Sequence, residues 1–157
     1  MLIRPLVFKD KSSVLHLIEG TRTFNEVEIQ VAAEVIDDAL SHPEKSDYHI
    51  FSAVDASDSP NGYICFGPIP MTQDRYDLYW IAVDKTASRQ GVGGKLLEFM
   101  EASLMRKGPG RVYVDTSSTP PYQAARAFYE KHGYRLVCVL DDFYREGDHK
   151  MIFMKEI

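Results

Sequence analysis

Eight consecutive residues, Ser88-Arg89-Gln90-Gly91-Val92-Gly93-Gly94-Lys95, have the types and spacing of an anion-binding turn. Three glycines in four positions let the main chain bend tightly and approach a ligand with no Cβ in the way. The loop follows a strand-like apolar run, Leu78–Val83, and leads into an amphipathic stretch from about Val92 to Lys107. Amide N–H groups at a helix start lack intrahelical partners and lie at the positive end of the helix dipole. With Arg89 and Lys95 alongside, they suit a phosphate or pyrophosphate.

Two common nucleotide loops fail by count. A mononucleotide loop requires G-x-x-x-x-G-K-S/T, but Arg89 stands six residues before Lys95 and Leu96 follows it. A dinucleotide loop requires G-x-G-x-x-G, and here Leu96 takes the place of the third glycine.

A second cluster lies downstream. Tyr122, Ala125, Tyr129 and His132 fall on one helical stripe, and a phenol such as Tyr129 can exchange a proton with a reacting group. Asp115 closes the run Arg111–Asp115, Asp77 and Tyr79 alternate on the preceding strand, and Glu26 and Glu28 open a helix. Any of these carboxylates is a candidate proton acceptor. The five histidines show no ligand spacing and neither Cys65 nor Cys138 has a close partner, so no metal is expected.

The elements that must position these groups follow from periodicity and turn signals. Leu2–Phe8 predicts a strand, with Asp10 or Ser12 as the cap of a helix ending near Gly20. Asn25 is placed to cap a second helix carrying Val27, Val31, Val35, Ile36 and Leu40, stopped by Pro43. Tyr48–Val54 and Tyr63–Phe66 read as an antiparallel pair around a polar turn, with Gly67-Pro68 as its stop. Pro120-Pro121 introduces a helix over about Tyr122–His132; Tyr134–Leu140 and Lys150–Lys155 close the chain, with Asp141–His149 between them. The order is β-α-α-β-β-β-α-β-α-β-β: an α/β chain of about seven strands and four helices, one mixed sheet with helices on its faces. Residues 1–157 read as a single domain.

Composition narrows the partners. A net charge of −5 argues against nucleic acid and against an anionic membrane surface. No apolar run reaches the length of a membrane span and no leader pattern is present, so a cytoplasmic location is expected.

Here the chain resembles the GCN5-related N-acetyltransferase (GNAT) superfamily. The family's loop signature is Gln or Arg, two residues, Gly, one residue, then Gly or Ala. Gly91 and Gly93 match its small positions, while Ser88 departs from the first, with Arg89 and Gln90 beside it. The second signature is matched by Ala125, Tyr129, Gly133 and Tyr134. Tyr122 stands where the family commonly has Asn. The strand and helix order above is also the family's, so the resemblance spans nearly the whole chain.

The resemblance implies an acetyl-CoA-dependent N-acetyltransferase that acts by direct attack in a ternary complex. It implies that the strand before the loop splays from its neighbour and pairs with the pantetheine arm, with Ile81, Ala82 and Val83 nearest the thioester. The remaining acetyl-CoA contacts fall on Ser88, Arg89, Gln90, Gly91, Val92, Gly93, Gly94, Lys95, Tyr122 and Arg126. Tyr129 is the expected proton donor to the departing thiolate, or else only orients the sulfur. Asp115 lies near a glutamate of related ribosomal-protein acetyltransferases and is the first candidate base. The acceptor is a small amine or a peptide amine, chosen by Thr21–Glu28 and Asp141–His149, and the protein a monomer or homodimer. A non-catalytic acyl-CoA sensor and an enzyme using another short acyl-CoA are the alternatives.

Overall fold

The structure, a computed structural model, describes residues 1–87 and 90–157. Strands β1 (Leu2–Pro5), β2 (His49–Val54), β3 (Pro60–Pro68), β4 (Arg75–Val83), β5 (Arg111–Ser117), β6 (Arg135–Arg145) and β7 (Asp148–Glu156) form one sheet. The helices are α1 (Lys11–Gly20), α2 (Glu26–Ser41), α3 (Val92–Met105) and α4 (Gln123–Lys131). Strand order is β1-β2-β3-β4-β5-β7-β6. Neighbours are antiparallel except β4 and β5, which are parallel.

Local chemistry explains the second helix. Asn25 Oδ1 accepts from the Glu28 amide at 2.9 Å and Glu28 Oε2 accepts from the Asn25 amide at 2.8 Å, a reciprocal capping box. The first helix starts differently from the sequence expectation. Asp10 sits at its cap position without a side-chain cap bond. Its buried carboxylate instead accepts from Arg4 Nη1 and Nη2, at 2.6 and 3.1 Å, and from the Val7 amide at 3.1 Å.

Two apolar cores lie on opposite faces of the sheet. Ile64, Phe66, Leu78, Val112 and Phe153 pack with Leu96, Leu97 and Met100 of α3 and Tyr129 of α4. Ile50, Tyr63 and Cys65 pack with Val14, Leu17 and Ile18 of α1 and Ala32, Val35 and Ile36 of α2. Burying each such side chain contributes about 1.5–3 kcal/mol, so the sheet is clamped from both sides while its centre stays fixed.

Several edges move relative to the sequence reading. β3 runs through Gly67 and Pro68 rather than stopping before them, because Gly67 and Pro68 still pair with Asp77 and Tyr76. β6 and β7 extend well into Asp141–His149, so only residues 146–147 remain as the turn. Strand pairing overrides the polar composition of that segment.

Candidate active site

The β4–β5 ladder is short. Arg75, Tyr76 and Asp77 pair with Arg111, Val112 and Tyr113, and beyond that point the two strands diverge. From Leu78 onward β4 keeps β3 on one side only, which leaves main-chain N–H and C=O groups facing the gap. A bulge sharpens the effect. Cys65 opposes Trp80 and Phe66 opposes Leu78, so Tyr79 has no partner across the ladder. A bulge bends its strand and re-aims side chains, and both Tyr79 and Trp80 reach the wall of the resulting cleft.

The cleft has a volume of about 560 Å³. Ile81, Ala82 and Val83 form one wall; Gly91, Gly93, Gly94 and Lys95 form its floor at the start of α3. Gly91 adopts a left-handed φ of 72° and carries no side chain to cap the first amides of the helix. Gly94 is needed for space: a Cβ there would lie 2.8 Å from His132 Cε1. Bare backbone and open helix amides thus meet at one end of the cleft, as an anion requires.

Tyr129 stands on the opposite side. Its ring is buried against Tyr134 and Phe153, at centroid distances of 5.9 and 6.3 Å, and it faces the cleft from α4. Burial pushes its phenol well above the usual tyrosine range. The segment that follows α4 is anchored: the Tyr134 hydroxyl donates to Glu101 of α3 at 3.1 Å, and Lys155 Nζ of β7 donates to the same carboxylate at 2.7 Å.

The acidic residues gather where β4 and β5 part. Asp115 lines the cleft and forms an ion pair with Lys150 at 2.5 Å. It also borders a shallower depression that contains Asp77, Arg75 and Tyr113. Burial, and then the charge of Asp115, push the Asp77 carboxyl up to about 6, with Lys150 opposing the shift. Tyr79 is pushed up to about 12 by burial and by Asp77.

The mouth is built by residues far apart in sequence. Tyr122 Oη donates to Glu28 Oε1 at 2.7 Å, and the Phe24 ring meets Tyr122 edge-on at 6.4 Å. The 21–24 connection is therefore held over the cleft, which Thr21, Thr23 and Phe24 help to line.

The structure brings together Tyr129, Asp115, Tyr122, Ile81, Ala82, Val83, Gly91, Gly93, Gly94 and Lys95. Ser88 and Arg89 lie outside the described residues. Val92 is buried and packs toward Gly62, and Gln90 is exposed in the turn before α3. Arg126 turns away from the cleft lining to donate to the Ser117 and Thr119 carbonyls at 2.6 and 3.1 Å. Sequence reasoning missed Trp80, Glu98, Lys131 and the lining role of Phe128. Trp80 carried a signal, being the lone tryptophan on the strand before the loop, but its direction depends on the bulge.

The family model described as "Acetyltransferase (GNAT) domain" matches residues 46–136. A Desulfovibrio desulfuricans protein assigned as an acetyltransferase of the GNAT family is 36% identical, with a TM-score of 0.93 over 99% of this chain and 98% of that one. An aminoglycoside 6'-N-acetyltransferase complexed with coenzyme A has a TM-score of 0.73 at 18% identity, covering 99% and 97% of the two chains. The ribosomal-protein-S18-alanine N-acetyltransferase of Escherichia coli has a TM-score of 0.77 at 20% identity, covering 99% and 93%. No curated protein matches the sequence. No helix among the described residues is long and apolar enough to cross a membrane.

Proposed function

The chain belongs to the GNAT family of acetyltransferases, and on that premise we propose that the cleft between β4 and β5 is its acetyl-transfer site. The observation that carries this reading is the early end of the β4–β5 ladder, with Tyr129 opposite the exposed edge. An extended pantetheine carries two amides and pairs with such an edge as an added strand. The pyrophosphate goes to the amides of Gly91, Gly93 and Gly94 with Lys95 beside them. Acetyl-CoA is the second substrate, and the fit rests on groups the fold leaves unpaired.

Transfer then needs three events. The neutral amine attacks the thioester carbonyl carbon, so a C–N bond forms and the C–S bond breaks. The departing thiolate takes the proton of Tyr129, whose phenol burial keeps neutral. The proton shed by the attacking nitrogen goes to the Asp77–Asp115 pair. Asp115 faces the cleft and is held by Lys150. Asp77 behind it has a carboxyl near 6, a stronger base than an ordinary aspartate.

The acceptor we assign is a cationic primary amine, of a small molecule or a peptide. Glu28, Asp115 and Asp77 supply negative charge around Phe24, Tyr79, Trp80 and Tyr122, and aromatic faces with carboxylates favour an ammonium group over a neutral ligand. The names of two proteins with similar folds, an aminoglycoside acetyltransferase and a ribosomal-protein-alanine acetyltransferase, agree with an amine as acceptor. The test is a panel of mono- and polycationic amines and amino-terminal peptides, read by release of the CoA thiol. Turnover confined to cationic amines is expected. Tight acetyl-CoA binding with no thiol release across the panel would overturn the reading.

A further inference from the structure

Strand β6 is the last strand of the sheet, and all eleven of its residues are exposed. Edge strands are commonly blunted by lysine, proline or inward charge, because an open apolar edge invites another strand. Between Arg135 and Asp141 none of these appears. The segment reads Leu136-Val137-Cys138-Val139-Leu140, and its four aliphatic side chains stay 39–44% exposed.

That segment is a palindrome, and it is flanked by opposite charges. In an antiparallel pair around a two-fold axis at Cys138, Leu136 meets Leu140 and Val137 meets Val139. The same register sets Arg135 against Asp141 at both ends. A contact of this kind is isologous, each copy offering the same surface to the other. Cross-strand aliphatic and opposite-charge pairs each stabilise a sheet. The bulge at Val137 increases local twist, and the two-fold places one bulge on each side of the axis. Beyond Leu140 the ladder to β7 is irregular until Arg145, with Asp142 at a φ of 51°, so the palindrome lies in the part of β6 that pairs with β7, with one bulge inside it.

We propose that β6 is a homodimer interface, in which two copies of this chain join edge to edge about Cys138 and merge their sheets. The partner is a second copy because the segment is complementary to itself in both shape class and charge. An unrelated strand has no reason to match both.

The register gives the test. The mass of the native chain in solution at micromolar concentration is that of two chains. Mild oxidation with diamide links the dimer through Cys138, two thiols giving up two electrons and two protons to the reagent. Either kind of antiparallel pair sets facing Cα atoms about 4.5–5.5 Å apart, within disulfide reach, while Cys65 is buried and stays reduced. Cys138→Ser abolishes the link and leaves the dimer. Arg135→Asp weakens dimerisation at least tenfold, and adding Asp141→Arg restores it, since the charge pair is rebuilt with its signs exchanged. Val139→Lys gives a monomer with an unchanged far-ultraviolet circular dichroism spectrum, because that side chain is exposed in the single chain, and its melting temperature no longer depends on protein concentration as that of the dimer does. A native mass of one chain would overturn the proposal. So would a dimer that survives Val139→Lys, fails to link through Cys138, or does not recover with the exchanged charges.

Discussion

Glu28 carries two bonds at once: one carboxylate oxygen accepts from the Asn25 amide at 2.8 Å and the other from the Tyr122 hydroxyl at 2.7 Å. The cap of α2 and the entry to α4 are thereby joined across the cleft mouth. Tyr122→Phe removes only the second bond, a hydrogen bond to a charged group. It lowers unfolding stability by about 1.5 kcal/mol in urea denaturation. Because the 21–24 connection loses its anchor, the KM for the amine rises several-fold while that for acetyl-CoA stays within twofold. Glu28→Gln keeps a cap acceptor and has the smaller effect on stability.

Tyr129→Phe removes the proposed proton donor and preserves the packing against Tyr134 and Phe153. A fall in kcat of about 10²-fold is expected, the lower range for a positioned acid, with an unchanged KM for acetyl-CoA. Since burial raises the phenol above its ordinary value, the wild-type enzyme loses no activity to Tyr129 ionisation up to about pH 10. Steady-state rates from pH 6 to pH 9.5 check both statements. A variant that retains full kcat over that range refutes the acid role.

The Asp77 carboxyl, at about 6, gives a pH signature. In the proposed role of proton acceptor it works only when ionised, so kcat/KM is expected to rise through about pH 6 and then level. Asp115→Asn deletes a neighbouring negative charge and moves that rise to lower pH. Lys150→Met deletes the opposing positive charge and moves it higher. Asp77→Asn removes the rise and lowers kcat/KM by about 10²-fold. Stability follows from linkage. The folded pKa lies above the unfolded value, so the native state holds the extra proton between about pH 4 and 6. The contribution is present below the unfolded pKa and is lost as pH rises through about 6. Asp77→Asn therefore has a higher melting temperature than wild type at pH 8 and no advantage at pH 3.5.

Local features of this chain are legible in its sequence, and features set by distant partners are not. Asn25 with Glu28 three residues on is a local signal, and the capping box formed as the spacing requires. Gly91-Val92-Gly93-Gly94 after a strand and before a helix is also local, and these glycines line the cleft. What escaped is non-local. Arg126 lies one turn from Tyr129 on α4, yet its guanidinium is drawn to the ends of β5 and the following turn. Trp80, a lining residue, stands next to a bulge at Tyr79, a register fact set by a strand twelve or more residues earlier. The partnership of Glu28 with Tyr122 crosses 94 positions and has no periodic trace. Asp115 is legible as an acid at a strand end, whereas its ion pair with Lys150 depends on the β5–β7 register.

Gly91 and Gly94 resist substitution for different reasons, and their alanine variants separate folding from binding. At Gly91 a Cβ meets nothing within 4 Å, but the φ of 72° is left-handed. Gly91→Ala costs about 1–2 kcal/mol of stability, and Gly91→Asn costs less because asparagine tolerates that region. At Gly94 the backbone is helical, and alanine improves helix propensity by about 1 kcal/mol over glycine. Its methyl group lies 2.8 Å from His132 Cε1 and forces that ring, which packs against Phe128 at 4.6 Å between centroids, to shift. Because the obstructing atom is the end of a side chain, the fold adapts and the cleft floor does not. Gly94→Ala is expected to melt within a few degrees of wild type while acetyl-CoA affinity falls about tenfold by calorimetry. Equal affinity in the two proteins would place the pyrophosphate elsewhere than the start of α3.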